Sequence, residues 1–308
     1  MPLDDVLLFI DSNKYLDLYR TVTGKRLLAP LSEQAANIFV TQQVVDEVNR
    51  RKIEVAANFL ARHFTALKLQ TYKVPDHLFG TTAEESKSIL GTMSEIHQHI
   101  EQLNNDLTAL AMGIMEKIRQ SNDEVSLALT PLFLGAAPHL DEELERAKQR
   151  KERGQPPGKK VDPIGDQLTW EQILSRFLNR KKFWIITKDS DYGTIYDGRG
   201  FLNQFLYDEL RKVSPDAEAF VFNDIADGIR HFADVTGMKA DTLPTQQELQ
   251  EIKNEENSLP PLDWLTVGTE IVRSAVSAAG VLAGAGGLSF SQDTPLVLRV
   301  RTEGDPPR

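Results

Sequence analysis

Four short stretches of this chain place a carboxylate close to where a strand and a helix meet. They are FIDSN around Asp11, VVDEVNRR around Glu47, GDQLTW around Asp166 and ITKDSD around Asp189. Carboxylates brought together from distant parts of a chain form a set of hard oxygen donors suited to Mg²⁺ or Mn²⁺. Packed without a cation they repel one another and raise their own pKa values. With one, a coordinated water is acidified and phosphate oxygens are neutralised, which is the chemistry of phosphodiester hydrolysis. Each acid alone has an ordinary reading. Asp166, in a first helical turn, offsets the helix dipole, and a strand-terminal aspartate such as Asp11 serves a cap or turn. The signal is their combination in one order.

The elements that must position these acids alternate between strands and helices. The apolar run Val6 to Ile10 predicts a buried parallel strand ending on Asp11, followed by a helix that Ser12 or Asn13 would cap. Residues 37–42 read as a second strand and lead into a long helix from Thr41. ALKLQ at 66–70 reads as a third strand. From about 82 to 150 the pattern is helical and polar, interrupted by Pro131 and Pro138, as in a helical insertion. A helix follows over about 164–179, then a strand over 182–189 that ends on acids. FLNQFLYDELRK (201–212) reads as a helix, AFVFND (219–224) as a last strand, and the segment up to Gly237 as a last helix. This alternation predicts an α/β fold with a central parallel sheet, whose carboxyl edge is where ligands bind. Asp11 and Asp189 both fall on that edge.

The bulk properties agree with a globular enzyme. The 308 residues are 41% hydrophobic and 26% charged, with a net charge of −10. That charge argues against a generally basic nucleic-acid coat, but not against a nuclease, which must concentrate carboxylates. The absence of cysteine excludes disulfides, thiolate metal sites and cysteine nucleophiles. It suits a cytoplasmic location, and MPLDDVLLFID lacks the basic start and long apolar run of a signal peptide. No Walker-type loop argues for an NTPase. Beyond residue 239 a polar linker with some helical character leads to an Ala/Gly/Ser-rich stretch at 274–290, too short and weakly hydrophobic for a membrane span. Residues 294–303 alternate like an exposed strand. The expected organisation is a catalytic domain over 1–238 and a linker with a C-terminal extension of unknown role over 239–308.

The four motifs, in this order, resemble those of the PIN-domain superfamily, and more narrowly the large bacterial PIN-like domains that carry a helical insertion. FIDSNKYLDLYR is similar to the opening strand and helix, with Asn13 two residues after the first acid. VTQQVVDEVNRRK resembles the second motif, RGQPPGKKVDPIGDQLTWEQIL the most individual one, and WIITKDSDYG the fourth. Two details depart from the pattern: Ser12 stands where Thr is commoner, and DSDYG ends differently. The resemblance covers roughly residues 3–235. It implies a three-layer α/β/α fold, a Mg²⁺ or Mn²⁺ site and RNA cleavage as the default activity, with a toxin or antiphage-defence role by analogy. Carried over residue by residue, it makes Asp11, Glu47, Asp166 and Asp189 the acidic core, with Asp191 as a further ligand.

Around that core the reading leaves alternatives open. Asp162 is a supporting acid or a turn residue before Pro163, and Thr187 orients Asp189 or a water, or fills the sheet. Arg51, with Arg50 and Lys52, contacts phosphate or lies on a solvated helix face. The strip from Arg146 to Lys160, including Arg153, Lys159 and Lys160, steers phosphate or forms a solvated loop. His97 and His99, two apart on a helix, do not share a face and read as surface residues. RNA is the favoured partner, and a protein partner or oligomer contact through the insertion or the extension is a further expectation. Two other functions compete: a non-catalytic PIN-like binding scaffold, and a structure-selective DNA nuclease.

Overall fold

A computed structural model describes residues 3–71, 83–158 and 163–259 of the chain. In chain order its elements are β1 (Val6–Ile10), α1 (Ser12–Asp17), α2 (Leu28–Glu33), β2 (Ile38–Phe39), α3 (Gln42–Leu67), α4 (Ala83–Arg119), α5 (Glu124–Leu134) and α6 (Asp141–Glu152). There follow α7 (Gly165–Phe177), β3 (Lys182–Ile186), β4 (Gly193–Tyr196), β5 (Arg199–Leu202), α8 (Gln204–Val213), β6 (Glu218–Phe222), α9 (Ile225–Thr236) and α10 (Gln246–Ser258).

Four of the strands form one parallel sheet in the order β2-β1-β3-β6. All five side chains of β1 are buried, because a strand covered on both faces has no solvent side to alternate towards. Alternation along β3 divides the core into layers. Phe183 meets Trp170 and Phe177 of α7, whereas Trp184 meets Phe232 of α9 edge-on at 5.2 Å. The result is the expected three-layer arrangement, with helices flanking a parallel sheet.

The register fixes where the site must be. Ile10, Ile186 and Phe222 stand level across three neighbouring strands. The Asp11 N–H then donates to the Ile186 carbonyl at 2.9 Å, and the Thr187 N–H to the Phe222 carbonyl at 2.8 Å. Asp11 and Thr187 therefore leave the sheet side by side.

Three expectations about elements are corrected. The third strand at 66–70 does not form: α3 continues to Leu67, and both backbone polar groups of Leu69 bond the Asn104 side chain of α4. Those hydrogen bonds satisfy the backbone that a ladder would have used. Pro131 does not break the insertion, since it sits on the exposed side of α5, where its missing N–H is least costly. Phe201 and Leu202 belong to a β4–β5 hairpin and not to a helix, and α8 starts only after its Asn203 cap. The signal was present in Asp197-Gly198: both residues have positive φ, as a two-residue hairpin turn requires.

The insertion is helical as expected, comprising α4, α5 and α6, and a parallel bridge from Ala137 to Thr41 ties it to the sheet margin. The compact body runs past residue 238, because α10 seats Leu249 and Ile252 in the same apolar core. The stretches at 274–290 and 294–303 lie outside the described residues. Among the described residues no helix is long and apolar enough to cross a membrane.

Candidate functional site

Asp11 is the buried centre of a hydrogen-bonded group at the carboxyl edge of β1 and β3, only 7% exposed. Its Oδ1 accepts the Ser12 N–H at 2.7 Å, capping α1. Its Oδ2 accepts from Asn13 Nδ2 at 2.6 Å and from Thr187 Oγ1 at 2.7 Å. Thr187 in turn accepts the Asp189 N–H at 2.9 Å, so one hydroxyl spaces two acids from different strands. Asp189 Oδ1 accepts the Asp191 N–H at 2.9 Å, which ties Asp191 to the site through its backbone.

Glu47 and Asp166 come from helices whose starts touch. A Cβ on Gly165, the first residue of α7, would press on the Gln43 amide of α3. Gln43 and Glu47 are four apart and share a helix face, so Glu47 projects from the side of α3 that meets α7. Its Oε1 accepts from Arg51 Nη1 at 3.2 Å. Asp166, half-buried in the first turn of α7, faces the loop that precedes it. Gly158 of that loop has φ +85°, and a Cβ there would crowd the Gln167 amide and come within 3.3 Å of Asp166 Oδ2. Gly158→Ala is therefore expected to cost about 1–2 kcal/mol from backbone conformation alone. It is also expected to lower any Asp166-dependent cleavage about tenfold or more by displacing the carboxylate. Thermal melts and single-turnover assays of the same preparation check both effects.

The pattern of charge is that of a site short of positive counter-charge. Burial first, and then the charges of Glu47 and Asp189, raise the Asp11 carboxyl to about 7, against the lowering hydrogen bonds from Thr187 and Ser12. Tyr192, fully buried, lies among all four acids. Its hydroxyl is raised well above the ordinary range, first by burial and then by Asp166, Asp11, Asp189 and Glu47. Among the described residues its Oη has no hydrogen-bond partner. Among the same residues no group of three or more His, Asp or Glu side chains is drawn together closely enough to hold a metal ion. The donor chemistry, the unneutralised Asp11 and the orphaned Tyr192 hydroxyl nevertheless fit a hard divalent cation and its water ligands.

The Asp11 shift has a consequence for stability. An unfolded aspartate ionises near 3.8, but Asp11 in the fold keeps its proton until about pH 7. Between those values the folded state binds a proton that the unfolded state has lost. The metal-free protein is thus expected to lose stability as pH rises from about 4 to about 7 and to level off above, by up to about 4 kcal/mol from this group. Urea unfolding in chelator across this range checks it. An identical pH slope in Asp11→Asn would remove Asp11 as the cause.

The structure separates the expected phosphate contacts. Arg153 is exposed and makes no ion pair among the described residues, while Lys159, Lys160 and Asp162 lie outside them. Arg51 and Lys52 are buried and not on a solvated face: Arg51 pairs with Glu47, and Lys52 Nζ bonds Ser121 at 2.7 Å and Ser126 at 3.2 Å. Arg146 and Arg150 of the basic strip turn inward to Glu171.

Two contributions escaped the sequence reading. Tyr192 lies inside the fourth motif without having been assigned a role there, and the packing of its ring near Trp170, at 6.3 Å between centroids, accompanies its burial. Lys188, between Thr187 and Asp189, joins a mostly buried ion network behind the site. Its Nζ lies 2.8 Å from Asp17 and 3.4 Å from Glu256, and Lys14 Nζ lies 2.6 Å from Glu256. Glu256 comes from α10, in the stretch read as a linker.

Curated proteins and solved structures give no match to the chain. A family model described as a PIN like domain matches residues 7–192, from the strand that carries Asp11 to the buried Tyr192. That span holds the carboxyl ends of β1, β2 and β3 and all four acids. By this match, with which the fold agrees, the chain belongs to the PIN-like domain family, which is of nuclease type.

Proposed function

We propose that this chain is a divalent-metal-dependent endonuclease that hydrolyses phosphodiester bonds in RNA, leaving 5′-phosphate and 3′-hydroxyl ends. The observation that supports the reading is the pairing of Asp11 and Asp189 through the Thr187 hydroxyl at the carboxyl edge of a parallel sheet, beside the meeting starts of the helices that carry Glu47 and Asp166. PIN-like nucleases typically use divalent metals. Asp11, Glu47, Asp166 and Asp189 would hold Mg²⁺ or Mn²⁺, with Asp191 as a further ligand. The bound cation supplies a water of lowered pKa and neutralises charge on the phosphate.

The remaining work falls to the chain's own groups. Thr187 and Asn13 fix the orientation of Asp11, and Thr187 holds Asp189 at a set distance from it. Arg51 restrains Glu47 through its Oε1. Arg153, with Lys159 and Lys160 nearby in sequence, would contact backbone phosphates, positioning the strand without reading its bases. The role of such an activity as a toxin or antiphage effector rests on analogy alone.

The test uses purified full-length chain with matched single-stranded RNA, single-stranded DNA and branched DNA of one sequence, in Mn²⁺ and in chelator. RNA cleavage that needs metal and yields 5′-phosphate ends is the expected result. Preference for branched DNA would reassign the substrate. Absence of cleavage together with no calorimetric heat of Mn²⁺ binding would make the fold a non-catalytic scaffold.

A further inference from the structure

The helix α4 carries a pattern that the domain uses only towards the C-terminal end of that helix. From residue 89 to 114 its apolar residues recur at alternating spacings of four and three: Ile89, Met93, Ile96, Ile100, Leu103, Leu107, Leu110 and Ile114. This is a heptad repeat with two apolar positions per seven residues, held over a helical length of about 39 Å.

The repeat divides into two rows. Met93, Ile100, Leu107 and Ile114 are half-buried, whereas the other row remains open to solvent: Ile89 is 37%, Ile96 50%, Leu103 52% and Leu110 55% exposed. Two tethers show why. Lys52 of α3 bonds Ser121, just past the end of α4, and Leu69, just past the end of α3, bonds Asn104. The two helices therefore run antiparallel, and α3 stops at about the level of Asn104. Only the C-terminal turns of α4 enter the core, through Ile118 and the packing of Ile114 and Met115. Among the described residues, no helix of the domain runs beside α4 between 83 and 103.

The period identifies what covers such a face. A straight α-helix has 3.6 residues per turn, so rows spaced strictly by seven drift by about 20° per heptad around it. A helix packing straight on its own domain gains nothing from an unbroken seven-residue row. A helix supercoiling around another helix needs one, because the row then stays in the seam. Three to four sustained heptads are the extent at which this pattern argues for a coiled coil. The positions flanking the seam suit self-association, since among Leu90, Thr92, His97, His99, Asn104 and Asp106 there is a single acid and no lysine or arginine to repel a second copy. Isolated apolar residues on a surface need no partner, but a continuous stripe of this length does.

We infer that α4 is a dimerisation helix, whose exposed heptad row Ile89, Ile96, Leu103 and Leu110 forms a coiled-coil seam with the same helix of a second copy of this chain. The contact is self-complementary, as a two-fold dimer requires. It lies on the insertion and uses none of the proposed site residues, so it is independent of the proposed nuclease reading.

Sedimentation equilibrium of the full-length chain, with and without the double substitution Ile96→Glu and Leu103→Glu, tests this. Both side chains are half exposed, so the fold is expected to persist, as circular dichroism and the urea midpoint will report. Wild type is expected to sediment at twice the mass of one chain, and the double variant as a monomer, with a dissociation constant raised by about 100-fold or more. Asn105→Glu, on the outer face of the same helix, is expected to stay dimeric. A wild type that is monomeric at 100-µM-scale concentrations (about ten thousand times a 10-nM-scale constant) would overturn the inference, as would a dimer that survives the double substitution or is equally lost in Asn105→Glu.

Discussion

Replacing Asp11 with asparagine is expected to lower metal-dependent RNA cleavage by about 10³-fold or more while leaving the fold in place. The substitution conserves size and keeps the two hydrogen bonds to Oδ2. If the new carbonyl takes the position of Oδ2, it still accepts from Asn13 and Thr187, whereas the Ser12 N–H, at 2.7 Å, and the Ser12 hydroxyl, at 3.4 Å, face an amide instead of an oxygen. Loss of that cap costs about 1 kcal/mol. Against it stands a gain above pH 7, because a buried charge beside Glu47 and Asp189 has been removed. Above pH 7 that gain, up to about 4 kcal/mol, exceeds the lost cap, so the variant in chelator should melt higher than wild type. Near pH 4 only the lost cap remains, and it should melt slightly lower. What the amide cannot do is serve as an anionic ligand. Stabilisation by Mn²⁺, about 2.7 kcal/mol for wild type at a hundred times the dissociation constant, should therefore shrink together with activity. Single-turnover cleavage and melts with and without Mn²⁺ provide both readouts. Cleavage within about threefold of wild type would remove Asp11 from the reaction.

Asp11 was legible in the sequence because its signal is local. A five-residue apolar run ending on an acid gives strand, direction and edge at once, and the same holds for Asp189 after KFWIIT. Glu47 and Asp166 needed only the assumption that helix starts meet at the sheet edge, and Gly165 against Gln43 is how they do so. Where the reading failed, a tertiary contact had replaced a local preference. ALKLQ alternates like a strand, but the Asn104 amide takes the Leu69 backbone. The polar sequence of α10 looks like a linker because only Leu249 and Ile252 on one side enter the core, while Glu256 meets two lysines that lie some 70 and 240 residues earlier. Tyr192 is one aromatic among several until α7 closes over it. Charge was the least legible property. Basic residues near an active site invite a phosphate reading, and no local pattern tells an arginine that reaches outward from one that is internally paired.

Arg150 is the clearest instance, and its replacement by methionine carries the second large expected effect: a loss of about 3–5 kcal/mol of stability. It is 4% exposed, and its guanidinium is bonded inside the protein. Nε and Nη2 reach Glu171 Oε1 at 2.9 and 2.7 Å, Nη2 also reaches Glu209 Oε1 at 2.9 Å, and Nη1 donates to the Pro156 carbonyl at 2.7 Å. Methionine fills much of the volume but leaves Glu209, already bonded by Trp170 Nε1, without its cation, and leaves Glu171 to Arg146 alone. For a body of this size the loss corresponds to a fall on the order of 10 °C in melting temperature. Activity should fall as well, because the Pro156 tether holds the loop that seats Gly158 against Asp166. Adding Glu209→Gln to Arg150→Met removes the carboxylate left without a cation, so the double variant should lose less than the sum of the single ones, by about 1 kcal/mol or more. Arg153→Met, three residues on and exposed, is the control that should leave melting unchanged. A true phosphate contact there would instead reduce the salt slope of RNA binding by about 1. If Arg150→Met melts like wild type and only its salt slope changes, the strip is a steering surface after all, and the internal network is not what holds the loop in place.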